Sequence, residues 1–139
     1  MYEYQAARAL DRHLGDPFDP NSAFNFSRIV ALDEADQFPT EQVAQVRDWG
    51  IGNYLVPEAY GGRFTSFEQM FALTRVVSRR DLTVAIAYGA TLLGALPVWL
   101  HGSEQQRSTL AQSICGGDFG AIGLTEEAHG SDLLSCELS

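Results

Sequence analysis

Apolar positions along this chain recur at three- and four-residue spacing for most of its length, and Gly and Pro interrupt them at short intervals, so the pattern predicts a run of short helices. A first helix is expected from about Tyr2 to Leu14, followed by a loop over Gly15-Asp16-Pro17-Phe18-Asp19-Pro20-Asn21. Ser27 is expected to cap a second helix ending near Phe38-Pro39. Thr40 starts a third, amphipathic through Val43 and Val46 and closed at Gly50. Ser66-Phe67-Glu68-Gln69 has the form of a capping box, after which Phe67, Met70, Phe71, Thr74 and Val77 share one helical face. Asp81 caps a helix from Leu82 to about Ala95, and Pro97 with Gly102 is expected to break off a short second piece. Ser103-Glu104-Gln105-Gln106 is a second capping box, opening a helix to about Cys115 that Gly116-Gly117 closes.

After Asp118 the pattern changes. Phe119 to Leu124 is apolar or glycine without a helical stripe and predicts a strand. Helices first and a strand last give a mainly α fold class: a helical domain over residues 1–117, followed by the start of a β-domain over 118–139.

Composition narrows the function classes. The 139 residues, 45% hydrophobic and 19% charged, suffice for one domain with its own core. Eighteen acidic side chains against nine arginines leave a net charge of −9, which repels nucleic acid and anionic membranes at long range. Cys115 and Cys136 have no short-spaced partner, so neither a zinc site nor a disulfide framework is signalled, and a reducing cytoplasm is expected. Met1-Tyr2-Glu3-Tyr4-Gln5 carries neither a secretory leader nor a transit-peptide pattern, so no cleaved segment is expected. Leu82 to Leu100 holds no charge and is long enough to span a bilayer, but its threonines, glycines and Pro97 predict a buried helix of a soluble protein instead.

Three stretches then stand in a fixed order: Val56-Pro57-Glu58-Ala59-Tyr60-Gly61-Gly62; Gly94-Ala95-Leu96-Pro97 running to His101-Gly102-Ser103-Glu104-Gln105-Gln106-Arg107; and Leu124-Thr125-Glu126 with Gly130-Ser131-Asp132. Together they resemble the acyl-CoA dehydrogenase superfamily, flavoenzymes with a helical N-terminal domain, a middle β-domain and a C-terminal helical domain. The resemblance implies FAD as cofactor, with Ile122, Leu124, Thr125, Gly130 and Ser131 along its isoalloxazine ring. Donors near Leu124 and the Thr125 hydroxyl would meet the pyrimidine edge, where a reduced flavin gathers negative charge. Ser131 would lie where substrate and flavin meet, and Tyr88, Gly89, Leu92 and Leu93 would line the acyl chain, although core packing explains those four equally well.

The substrate implied is an acyl thioester of coenzyme A or of an acyl carrier protein, oxidised to the α,β-unsaturated thioester, and the full-length protein is expected to be a homo-oligomer, dimer or tetramer. The family's α-proton base belongs to the C-terminal helical domain, beyond Ser139, so no catalytic residue is assigned here and Glu126 and Glu127 are not promoted to that role. The 139-residue chain alone is accordingly expected to be inactive and to hold FAD poorly. Where the family pattern has Thr-Glu-Pro, this chain has Glu127 in place of the proline, and His129 follows; that histidine is either a contact for a phosphate or carrier or simply solvated. Two alternatives stand beside the dehydrogenase: a flavin monooxygenase of the same fold, and a non-enzymatic helical partner subunit.

Overall fold

The computed structural model describes residues 3–137, apart from the side chains of Glu3, Tyr4 and Leu133; Tyr2 and the other terminal positions lie outside the described residues. The helices are α1 (Glu3–Leu14), α2 (Phe26–Glu34), α3 (Thr40–Trp49), α4 (Phe67–Ser78), α5 (Leu82–His101) and α6 (Glu104–Cys115), with 3₁₀ turns at Ile51–Leu55, Glu58–Tyr60 and Leu133–Ser135. α4 packs between α1 and α5, α3 lies against α1, and α6 closes on α5 and on the turns that follow α3. Leu10, Leu14, Phe24, Val46, Leu55, Leu73, Val77, Val84 and Ile114 from these elements meet in one core.

Most helix ends follow their predicted caps. Asp81 accepts the Val84 N–H at 3.0 Å, and Ser103 and Gln106 form a reciprocal capping box. Gly50, at φ +91°, ends α3 in the left-handed region that favours glycine. At Ser66 only half the box forms: its hydroxyl accepts the Gln69 N–H at 3.1 Å, while the Gln69 amide oxygen turns to the Thr65 hydroxyl.

The second helix departs from expectation at both ends. Asn25, not Ser27, is the N-cap; its amide oxygen accepts the Arg28 N–H while its NH₂ reaches Pro17 and Asp19 carbonyls, bracing the double-proline loop with atoms a serine lacks. The helix stops at Glu34 because Asp36 takes a left-handed φ of 51° and Gln37 N–H returns to the Leu32 carbonyl at 2.9 Å.

Two faces also differ. α4 buries Met70, Leu73, Val76 and Val77, whereas Phe67 and Phe71 of the predicted stripe are exposed, since α1 and α5 flank the helix on the other side. α5 is one continuous helix through Pro97, not two pieces. Pro97 lacks the N–H that would bond the Leu93 carbonyl, and both residues lie on the exposed face of the helix. By length and composition Leu82–His101, with mean hydropathy 1.6, can cross a membrane; in the fold it buries Val84, Ala85, Tyr88, Thr91 and Ala95 and exposes Leu82, Ile86, Leu93 and Leu100. The expected burial therefore holds for one face only.

The strand expected over Phe119–Leu124 is chain without regular secondary structure and with no ladder partner among the described residues, whose one β-bridge joins Pro57 to Phe64. A strand requires a neighbouring strand to take its N–H and C=O groups, and among the described residues none lies beside this segment.

Candidate functional site

The first two family landmarks form one structural joint. Tyr60 stacks on Trp99 of α5 with centroids 5.9 Å apart, its hydroxyl donates to the Glu104 carboxylate at 3.1 Å, and Arg107 donates to the same hydroxyl at 3.3 Å. Arg107 also caps the end of α5 through the Val98 and Leu100 carbonyls. Gly62 lets the loop close: a Cβ there would stand 1.9 Å from the Val56 carbonyl oxygen. These residues hold α5 and α6 in place.

From Gly117, at φ +99°, the chain crosses α5 in three steps. Phe119 packs its ring on Tyr88 at 5.1 Å. Gly120 donates its N–H to the Thr91 hydroxyl at 3.1 Å. Ala121 then passes so close that a Cβ on Gly94 would stand 2.6 Å from its carbonyl oxygen. Thr91 and Gly94 were not among the sequence-predicted site residues; the available signals were a hydroxyl buried in an uncharged helix and a glycine three residues on.

Beyond this clamp Ile122, Leu124 and Thr125 are exposed, and no N–H from Ala121 to Thr125, nor the Thr125 hydroxyl, finds a partner among the described residues. Glu126 and His129 exchange backbone hydrogen bonds, 2.9 and 3.3 Å, and so close the turn that lacks the family's proline. His129 Nδ1 pairs with Asp132 at 2.8 Å, and that pairing, with backbone N–H groups including Gly130's, holds the Asp132 carboxyl below the usual aspartate range. Gly130 and Ser131 are exposed, and the Glu126 carboxylate accepts the Glu137 N–H.

The four acyl-chain residues separate. Tyr88 is buried and donates its hydroxyl to the Val43 carbonyl at 3.1 Å; burial pushes it up to about 12, with Arg47 opposing and Asp48 adding to the shift. It also lines a cavity of about 220 Å³ between α3 and α6. Leu92 packs half-buried on the core, whereas Leu93 is exposed and nothing stands within 4 Å of a Cβ on Gly89. Among the described residues no group of three His, Cys, Asp or Glu is placed to hold a metal.

The six helices pack as one helical domain around a shared core. Residues 26–118 match the acyl-CoA dehydrogenase N-terminal domain model, and the chain belongs to that family. It is 28% identical over 103 residues to an acyl-CoA dehydrogenase of Bacillus subtilis, covering 73% of this chain and 27% of that protein. It is 30% identical over 106 residues to the 3-sulfinopropanoyl-CoA desulfinase of Advenella mimigardefordensis, 76% of this chain and 26% of the relative. A mitochondrial isovaleryl-CoA dehydrogenase of Bos taurus is 26% identical over 111 residues, 77% and 26% respectively. The chain thus spans about a quarter of the length of these relatives. No solved structure matches it significantly. The family match ends at Asp118, one residue before the segment that crosses α5.

Proposed function

We propose that this chain supplies the helical domain of an FAD-dependent oxidoreductase acting on acyl thioesters, with α5 as one wall of the acyl site. One observation carries this reading: Thr91 and Gly94 clamp residues 120–121 across α5, so that a strip of donors without partners among the described residues, Ile122 to Thr125, leaves α5 just past Gly94. The donor set suits FAD. An electron-rich ring edge needs fixed N–H and O–H groups not already paired within the protein. FAD would supply the hydride acceptor. The chain's own part is to hold those donors at fixed depth against α5, to offer an apolar wall to the acyl group, and to exclude water from between them. Glu126 is engaged with the Glu137 amide, which supports leaving the α-proton base to residues outside this chain.

The test is thioester-dependent dye reduction by the complete enzyme, with the enoyl thioester as the expected product. Turnover by the 139-residue chain alone, or a complete enzyme that neither retains FAD nor oxidises any acyl thioester, overturns the reading. A second outcome follows from the relative named a desulfinase, 30% identical to this chain against 28% and 26% for the two named dehydrogenases. Release of sulfite from a sulfinated acyl thioester, without enoyl product, distinguishes it.

A further inference from the structure

Residues 119–137 carry no Lys or Arg, and His129 is their one basic side chain, set among the carboxylates Glu126, Glu127, Asp132 and Glu137. The chain doubles back around it. Glu126 and His129 close the turn, the Ser135 N–H returns to the Asp132 carbonyl at 2.8 Å, and the return leg then meets the donor strip at two points. The Cys136 thiol donates to the Leu124 carbonyl at 3.4 Å, and the Glu137 N–H donates to the Glu126 carboxylate at 3.0 Å. Asp132 stands between the two legs. Its carboxylate takes His129 Nδ1 at 2.8 Å and the Gly130 N–H at 3.0 Å, with the Ser135 side chain as a further donor. The imidazole is the more enclosed member of the pair, 24% exposed against 54% for the aspartate side chain.

We infer that His129 is a positioning residue for the donor strip: by fastening Asp132 it sets the return leg against Leu124 and Glu126, and so fixes the depth of the Leu124 and Thr125 donors. The inference rests on the flavin reading above, in which those donors must not move as charge develops on the ring edge. A partly exposed ion pair contributes little by itself. The leverage comes from one carboxylate that gathers donors from both legs, so that losing the imidazole loosens a network and leaves the neighbouring carboxylates to repel one another. The same geometry selects an internal role for His129 over a contact to a phosphate. Nδ1 is already engaged, and the Asp132 carboxylate beside the ring opposes an incoming anion.

Two measurements test it. In the 139-residue chain, His129→Ala is expected to speed amide exchange at Gly130 and Glu137 by about three- to tenfold while α5 amides hold. His129→Asn keeps an N–H donor without a charge and is expected to restore most of the protection; His129→Lys keeps a charge without that geometry and is not. In the complete enzyme, His129→Ala is expected to slow flavin reduction by an acyl thioester about three- to tenfold at unchanged KM, with Asn again restoring it and Glu127→Gln as an unaffected control. Should His129→Ala lose helicity by circular dichroism, Asp132→Ala breaks the same bond from its other end. Unaltered exchange overturns the inference alone, whatever the enzyme does. A raised KM at an unaltered reduction rate also overturns it, by making His129 a contact for the thioester, and rescue by Lys but not Asn reduces it to charge balance. A complete enzyme without flavin, in which exchange still responds to His129, instead sinks the flavin reading and takes this inference with it.

Discussion

Arg107 donates to the Tyr60 hydroxyl at 3.3 Å, joining a residue of the Pro57–Gly62 loop to one on α6 while the same guanidinium caps α5 at Val98 and Leu100. A planar fork with donors on three nitrogens reaches three separated acceptors on two elements; an ammonium, whose three donors share one nitrogen, spans less. Arg107→Ala is expected to destabilise the fold by about 1–3 kcal/mol, and Arg107→Lys to recover less than half of that, as read by urea unfolding. A silent Arg107→Ala would show the joint to be ornamental.

Gly94→Val tests the crossing of α5. The added side chain meets the Ala121 carbonyl oxygen, 2.6 Å from even a Cβ, so the segment must lift and Phe119 must leave Tyr88. Helix content should hold while FAD retention by the complete enzyme falls by about tenfold or more, a loss of about 1.4 kcal/mol. Unchanged retention, with the segment displaced by nuclear magnetic resonance, would remove this segment from the flavin site.

Thr125→Ala removes a hydroxyl without a partner among the described residues, so chain stability should move by less than about 0.5 kcal/mol. The effect belongs to the complete enzyme, where a slower reductive half-reaction is expected, by about 10²-fold or less. Stopped-flow reduction with an acyl thioester reads it, and an unaltered rate counts against a flavin contact.

Tyr88 gives the fold an alkaline limit. Its proton is held more tightly folded than unfolded, because burial lifts it to about 12, so the stabilisation is complete below the free tyrosine range near pH 10 and is lost as pH rises through about 12. The amount is on the order of 2–3 kcal/mol. Tyr88→Phe should flatten that alkaline slope and cost about 1 kcal/mol at neutral pH through loss of the bond to Val43. Denaturation midpoints across alkaline pH decide it.

At the acid end Asp132 has the opposite sign. Its carboxyl is held low first by His129 and then by backbone N–H groups, so the turn is intact above the ordinary aspartate range and loosens as pH falls through the lowered value. Amide exchange at Gly130 should rise in that acid window and, in Asp132→Asn, already at neutral pH; protection that ignores both would assign the order to the Glu126–His129 pair alone.

Local chemistry alone determined much of this chain. Asp81, Ser103 and Gly50 act over one turn, so their roles as caps were legible without knowing what the helices pack against. The family landmarks were legible for a related reason: Gly62 and Arg107 answer backbone demands that few other residues meet. What only tertiary structure decided is orientation. An apolar residue does not state which neighbour will cover it, so Phe71 reads as core and stands in water, while the polar Gln42 is buried, its NH₂ bonded to the Ala23 carbonyl. Likewise the run after Asp118 does not carry its own hydrogen-bond partner, and it lies across α5, fixed by a hydroxyl and a missing Cβ many residues away in sequence. Short-range contacts are written in sequence order, whereas burial and strand pairing depend on distant residues that only the folded chain brings together.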